Sequence, residues 1–288
     1  MNKSFQTSSY FILLFFAIIS SCTKDDNNES LQNTQSAEEL KSQIYELVKD
    51  HHIRTYYQLW TDFRSTDAKD NGKVNDLYNN KTNYTFGTDQ DRGGGDLNRY
   101  NREHSVPKSW WGSQEESPMY TDLFHIYPTD SEANTQRSNL PFGEINSGTI
   151  IWTNGYCKVG KMVAANFSGD VFEPNNEIKG NLARTYFYFA TRYENEDFSK
   201  WSGSPMMTKN KYPFYRTWAI TMLLKWNRLD TVDEAERARN EAIERIQGKR
   251  NPFIDDPELA EYIWGDKMGK EYNMKRVKMP VVIFRLEE

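Results

Sequence analysis

The sequence predicts one α+β domain, a small antiparallel sheet with surrounding helices, placed behind an export signal and a tether. Two runs, Ile150-Ile151-Trp152-Thr153 and Tyr156 to Val163, flank Asn154-Gly155 and read as strands joined by a hairpin turn. Apolar residues recur at helical spacing over Leu40, Ile44, Leu47 and Val48, again over Leu182, Ala183, Tyr186, Phe187 and Ala190, and from Trp218 to Trp226. The length left after processing, residues 36–288, suits one mixed domain rather than two, and an aromatic fraction of 14% supplies large side chains for its core.

Met1 to Ser21 carries a cationic Lys3 and an apolar run from Phe11 to Ile19, too short to span a bilayer, and reads as a signal peptide. Ile19-Ser20-Ser21-Cys22 resembles a bacterial lipobox, which makes Cys22 the lipidated first residue of the mature chain. Residues 22–35, rich in Asp, Asn, Ser, Gln and Thr, then form a flexible tether. The expectation is an exported lipoprotein held to the outer membrane by its lipid alone, on the periplasmic face or the cell surface. An ordinary signal peptide followed by secretion is the alternative. With Cys22 acylated, Cys157 has no partner and should be a buried free thiol.

Ser36-Ala37-Glu38-Glu39 has the form of a capping box and opens the first helix. His51 and His52 follow its end as structural or surface residues. Tyr56, Tyr57, Leu59, Trp60 and Phe63 continue as an aromatic helical stripe. The glycines of 89–96 mark a loop, either a solvated turn or a rim that admits a nucleic-acid backbone near Arg92 and Arg99. Arg102 to Ser105 reads as a strand that Pro107 ends, and Trp110 and Trp111 pin the long connection behind it. Thr129-Asp130-Ser131-Glu132 is a second capping box, opening a helix that carries Asn134 in its second turn. Thr231-Val232-Asp233-Glu234 is a third, and its helix stops at Gly248. Among the arginines of that helix, Arg237, Arg239 and Arg245 alternate with glutamates and read as solvated partners, whereas Arg250 in the following turn reads as structural.

The chemistry is concentrated in 101–110 and 122–139. Hydrolysing a phosphodiester needs a nucleophilic water, a group to take its proton, and positive charge near the phosphate oxygens. Glu103, His104, Asn134 and Arg137 can fill those places. A carboxylate and an amide oxygen are hard ligands suited to Mg²⁺, with Mn²⁺ or Ca²⁺ as alternatives, and Mg²⁺ needs only one or two protein oxygens. One geometric difficulty follows. On a regular strand Glu103 and His104 point to opposite faces, so both serve one site only where the strand ends. His125 reads as a supporting residue, and Asn139 as one that positions the loop after the helix.

Four blocks together resemble the bacterial endonuclease I family: Glu103 to Trp110, Asp122 through Gly143, Lys179 to Tyr188 and Gln247 to Asp255. The resemblance implies a ββα-metal (His-Me finger) core in a hydrolase that cleaves DNA, RNA or both with little sequence preference. It makes Glu103 and Asn134 the Mg²⁺ ligands and His104 the general base, with Arg137 a phosphate contact. It also implies a further arginine near the scissile phosphate, for which Arg99 and Arg102 are candidates, with Lys108 and Arg92 completing the substrate-binding set. A monomer is expected. The chain departs from many relatives at Asn181 and Lys249, and cannot form the several disulfides that staple some of them. Two alternatives stand beside this reading: an RNA-restricted ribonuclease, and a surface lipoprotein that binds glycan or protein through exposed Trp and Tyr without catalysis. A net charge of −5 argues against tight electrostatic hold on a polyanion rather than against turnover.

Overall fold

A computed structural model describes residues 35–278; the expectations for the signal peptide, Cys22 and nearly all of the tether lie outside the described residues. In chain order the elements are α1 (Ala37–Val48), α2 (Leu59–Thr66), β1 (Tyr100–His104), α3 (Lys108–Trp111), β2 (Ile126–Asp130), α4 (Ser131–Arg137), β3 (Ser147–Thr153), β4 (Lys158–Ala164), β5 (Phe167–Glu173), α5 (Lys179–Arg192), α6 (Thr217–Leu229), α7 (Glu234–Gln247), α8 (Pro252–Asp255) and α9 (Leu259–Trp264). Mixed α and antiparallel β architecture is thus present. Among the described residues no helix is long and apolar enough to cross a membrane.

The first capping box forms as read: Ser36 Oγ accepts from Glu39 N–H, and Ser36 N–H donates to the Glu39 carboxylate. The aromatic stripe does not extend the next helix backwards. Reciprocal bonds between Thr55 and Gln58 fix a turn there, α2 starts at Leu59, and Tyr57 is left exposed.

β1 and β2 pair antiparallel, with Glu103 opposite Tyr127 and His104 opposite Ile126, and the chain runs from β2 directly into α4. The cap of α4 is Asp130 rather than Thr129, because it is the Asp130 carboxylate that accepts from Ala133 N–H. α5 backs this pair. Its residues other than Asn181 are buried, and three of its hydroxyls, with that of Tyr193 just past the helix end, reach the strand region or the turn before β2: Thr185 to Tyr127, Tyr186 to the Ser105 carbonyl, and Tyr188 and Tyr193 to Asp122. Gly180 admits the close approach of the next loop, since a Cβ there would lie 2.0 Å from the Asp230 carbonyl oxygen.

The hairpin at Asn154-Gly155 joins β3 and β4 as expected, and a third strand, β5, completes the sheet in the order β3-β4-β5. The sequence hides β5 because Ser168, Gly169 and Asp170 lack a strand's apolar alternation; a tight turn with Asn166 at φ 62° turns the chain back. Cys157 is fully buried and unpaired, as expected.

The helix opened by the third capping box differs from its reading. α7 is capped by Asp233, and its inward face carries charge: Glu236 pairs with Arg184 of α5, and Arg239 is buried against Asp67 at 2.8 Å. Arg239 also donates to the carbonyls of Leu123 and Ile126 and lies over the Tyr127 ring, so it anchors α7 to the start of β2 rather than facing water. Arg250 takes the structural role foreseen, bonding Asp255 and Glu244.

Asp122 is the polar hub of this region. It accepts from Phe124 N–H, Gln247 Nε2, Tyr188 OH and Tyr193 OH. Burial works against its ionised form, but the neighbouring His51 and His125 and these donors hold its pKa down to about 2. The folded pKa lies below the ordinary value of 3.8, so the stabilisation is present above pH 4 and is lost as pH falls toward 2. Asp122→Asn is expected to lower stability more at pH 7 than at pH 2, read by urea denaturation at both pH values; equal losses at both would refute the linkage.

Candidate active site

The end of β1, the start of α3 and the middle of α4 enclose a cavity of about 440 Å³, lined among others by Arg102, Glu103, His104, Lys108, Asn134 and Asn139. The strand places Glu103 and His104 on opposite faces, but β1 ends at His104, so both side chains reach the cavity. Ser105 still bonds the His125 carbonyl through both N–H and hydroxyl, which fixes where the strand stops.

His104 is buried with its ring among Tyr56, Trp111, Tyr120 and His125. Its Nε2 lies 3.1 Å from the Tyr120 carbonyl oxygen. A carbonyl only accepts, so Nε2 carries the hydrogen and Nδ1 keeps its lone pair. No group among the described residues bonds Nδ1. Burial, with the nearby His125, Lys108 and Arg102, drives the imidazole pKa well below its ordinary value, so the ring is neutral at neutral pH.

Glu103 is 3% exposed. Its Oε1 accepts from Tyr78 OH at 3.0 Å and pairs with Arg137 at 3.1 Å. Oε2 accepts no hydrogen bond among the described residues. Burial pushes the carboxyl up to about 7, against the opposing charge of Arg137 and the Tyr78 bond. Asn134, in the second turn of α4, lines the same cavity, and its side-chain amide is also unengaged among the described residues.

Two free hard oxygens beside a buried, incompletely neutralised carboxylate fit a small divalent cation. Among the described residues no group of three or more His, Cys, Asp or Glu gathers into a metal site, so the oxygens that could hold such a cation here are those of Glu103 and Asn134.

The family model for endonuclease I matches residues 36–258, most of the chain. The chain belongs to the endonuclease I family. It is therefore a nuclease, a hydrolase acting on phosphodiester bonds. It is 32% identical over 239 residues to an extracellular ribonuclease of Bacillus subtilis (strain 168), an alignment covering 80% of this chain and 75% of that one. It is 33% identical to an extracellular ribonuclease of Bacillus amyloliquefaciens over the same shares. An extracellular deoxyribonuclease of Aeromonas hydrophila is 25% identical over 55% of this chain and 66% of its own.

Within this endonuclease I chain the arginines divide by position. Arg137, expected at the phosphate, is fully buried and does not line the cavity. Its guanidinium lies beneath the site, donating to the carbonyls of His104 and Ser105, pairing with Glu103 and sitting 4.8 Å from the Phe142 ring, and these partners hold it inside. Arg99 is held outside by Asp96 and the Thr88 carbonyl, and Arg92 is exposed beside Gly87; neither lines the cavity. Arg102 does line it. Its guanidinium is sandwiched 3.4 Å from the Tyr56 ring and 4.2 Å from Trp60, with one nitrogen donating to the Tyr56 carbonyl. Lys108 stands exposed at the rim near Tyr120. Asn139, also at the rim, holds Trp110 through its carbonyl.

His125 is buried behind His104 at 5.7 Å between ring centres, its Nε2 donating to the Met119 carbonyl, and it does not line the cavity. Both histidines thus grip successive carbonyls of the turn at Pro118–Thr121. Sequence reasoning missed Tyr78, Tyr56 and Tyr120. Tyr78 lies 25 residues before Glu103 in a loop, and no periodicity connects the two.

Proposed function

We propose that this nuclease is a metal-dependent endonuclease of little sequence preference, with a ββα-metal core made by β1, β2 and α4 and His104 as general base. The observation that carries the reading is the commitment of His104 Nε2 to the Tyr120 carbonyl, which leaves the lone pair of Nδ1 beside the cavity that Glu103 and Asn134 share. Glu103 and Asn134 would hold the cation, Mg²⁺ or in its place Mn²⁺ or Ca²⁺. When bound it supplies positive charge next to the scissile phosphate and its leaving oxygen.

His104 Nδ1 takes the proton of the attacking water. Tyr120, through its carbonyl, keeps the ring in the tautomer that can do so. Arg102, its plane fixed by two aromatic rings, offers its remaining N–H groups to phosphate oxygens, and Lys108 adds charge at the rim. Contacts of this kind go to phosphate and carry no base information. The binding-only alternative gives way to this reading.

Restriction to RNA is the second reading. It is favoured by the 32% and 33% identities to proteins named as extracellular ribonucleases, against 25% to one named as a deoxyribonuclease. Export belongs to the same proposal and is supported by relatives named as extracellular or periplasmic; the Cys22 anchor and a monomeric state complete it.

A gel assay on plasmid DNA and on RNA, with Mg²⁺ and with chelator, tests the function. Degradation is expected only with the cation, and Glu103→Ala should reduce it at least about 100-fold. Undiminished cleavage in chelator would overturn the metal dependence, and the two substrates read the RNA restriction directly.

A further inference from the structure

Both contacts to the Glu103 carboxylate fall on one oxygen. Tyr78 OH donates to Oε1 at 3.0 Å and the shortest contact of Arg137, from Nη1 at 3.1 Å, falls on the same oxygen, while Oε2 accepts no hydrogen bond among the described residues and Glu103 lines the cavity. Neither partner is free to drift. Tyr78 is fully buried with its ring 4.8 Å from Phe172, and its backbone is tied at both ends, N–H to Asp76 and carbonyl to Asn154. Arg137 is held by the His104 and Ser105 carbonyls and by Tyr186 OH, which itself donates to Ser105. The carboxylate cannot rotate to present both oxygens to the cavity without breaking two bonds inside a packed core.

The geometry points to Tyr78 and Arg137 as positioning residues that occupy one oxygen of Glu103 and so make it a one-oxygen ligand. This rests on the reading of Glu103 as a cation ligand given above. The consequence is selectivity. A small cation that keeps most of its water and accepts one or two protein oxygens matches a carboxylate offering a single oxygen, whereas Ca²⁺ readily takes a carboxylate through both and prefers more ligands. Freeing Oε1 should therefore favour Ca²⁺ at the expense of Mg²⁺. Groups that orient a metal ligand in this way typically contribute about 10–100-fold to metal affinity.

The test is calorimetric titration of the full chain with Mg²⁺ alone and with Ca²⁺ alone, for the parent, Tyr78→Phe, Tyr188→Phe and Glu103→Ala. Tyr78→Phe keeps the buried ring and removes only the hydroxyl on Glu103. It should weaken Mg²⁺ binding roughly tenfold or more and weaken Ca²⁺ binding less, so that the Mg²⁺-to-Ca²⁺ affinity ratio falls. Tyr188→Phe removes a buried hydroxyl of the same kind that bonds Asp122 and touches neither Glu103 nor Arg137, and should leave the ratio in place. Arg137→Lys, which keeps the cation but not the fork, should move the ratio in the same direction as Tyr78→Phe and serves if that variant fails to fold. An unchanged ratio in Tyr78→Phe, with Glu103→Ala binding neither cation, overturns the positioning role while leaving Glu103 as a ligand. Full binding by Glu103→Ala overturns the ligand assignment and this inference with it.

Discussion

His104→Ala is expected to lower kcat by roughly 10²–10⁴-fold on any nucleic acid the protein cleaves. The ring has two nitrogens and only one is free for chemistry, since Nε2 is held by the Tyr120 carbonyl. Its neutral form is favoured by burial and by the nearby His125, Lys108 and Arg102. Truncation removes the base and also leaves a void among Tyr56, Trp111, Tyr120 and His125, with the Tyr120 carbonyl unpaired, at a cost of about 1–3 kcal/mol. Activity is therefore measured well below the variant's melting temperature, beside cation titration. The account expects cation binding to persist and turnover to collapse. Comparable losses of both would mean that His104 acts through the fold rather than through proton transfer.

Arg137→Met separates two roles for an arginine. As a phosphate contact at the rim, its loss would raise KM and leave stability nearly untouched. As the buried partner of Glu103, its loss strands a carboxylate and two carbonyls inside the protein. Breaking a buried pair from one side typically costs about 3–5 kcal/mol. The expected outcome is a loss of that size in thermal or urea denaturation. Arg102→Met is the counterpart: removing a guanidinium stacked on Tyr56 and Trp60 should cost about 1–2 kcal/mol while raising KM. Equal stability effects from the two substitutions would contradict the division made by burial.

Much of the site was legible because its local chemistry is written in short segments. Glu103-His104 sits on a strand that Pro107 was expected to end, and β1 indeed stops at His104. The polar run before Asn134 starts a helix and puts that residue in the second turn, although the cap is Asp130. What sequence could not show is pairing across long separations. Lys41 is fully buried because Glu194, 153 residues away, meets it at 2.7 Å. Arg239 alternates with glutamates along α7 like a solvated residue, yet Asp67 and two carbonyls of the β2 region draw it inside. Arg137 misleads in the same way: a cation in the catalytic segment suggests phosphate, and only the fold shows that its charge is turned toward Glu103. β5 was missed for a different reason, since one hairpin turn at Asn166 and scattered apolar residues give little periodicity.

The central claim is that Glu103, His104 and Asn134 serve one cation-dependent site. An anomalous difference map from crystals soaked in Mn²⁺ tests it most directly. The account expects a peak in the cavity within ligand reach of Glu103 Oε2 and the Asn134 amide oxygen, with His104 Nδ1 facing the same space and not bound to the ion. A peak elsewhere, or one held by Nδ1 itself, would contradict it.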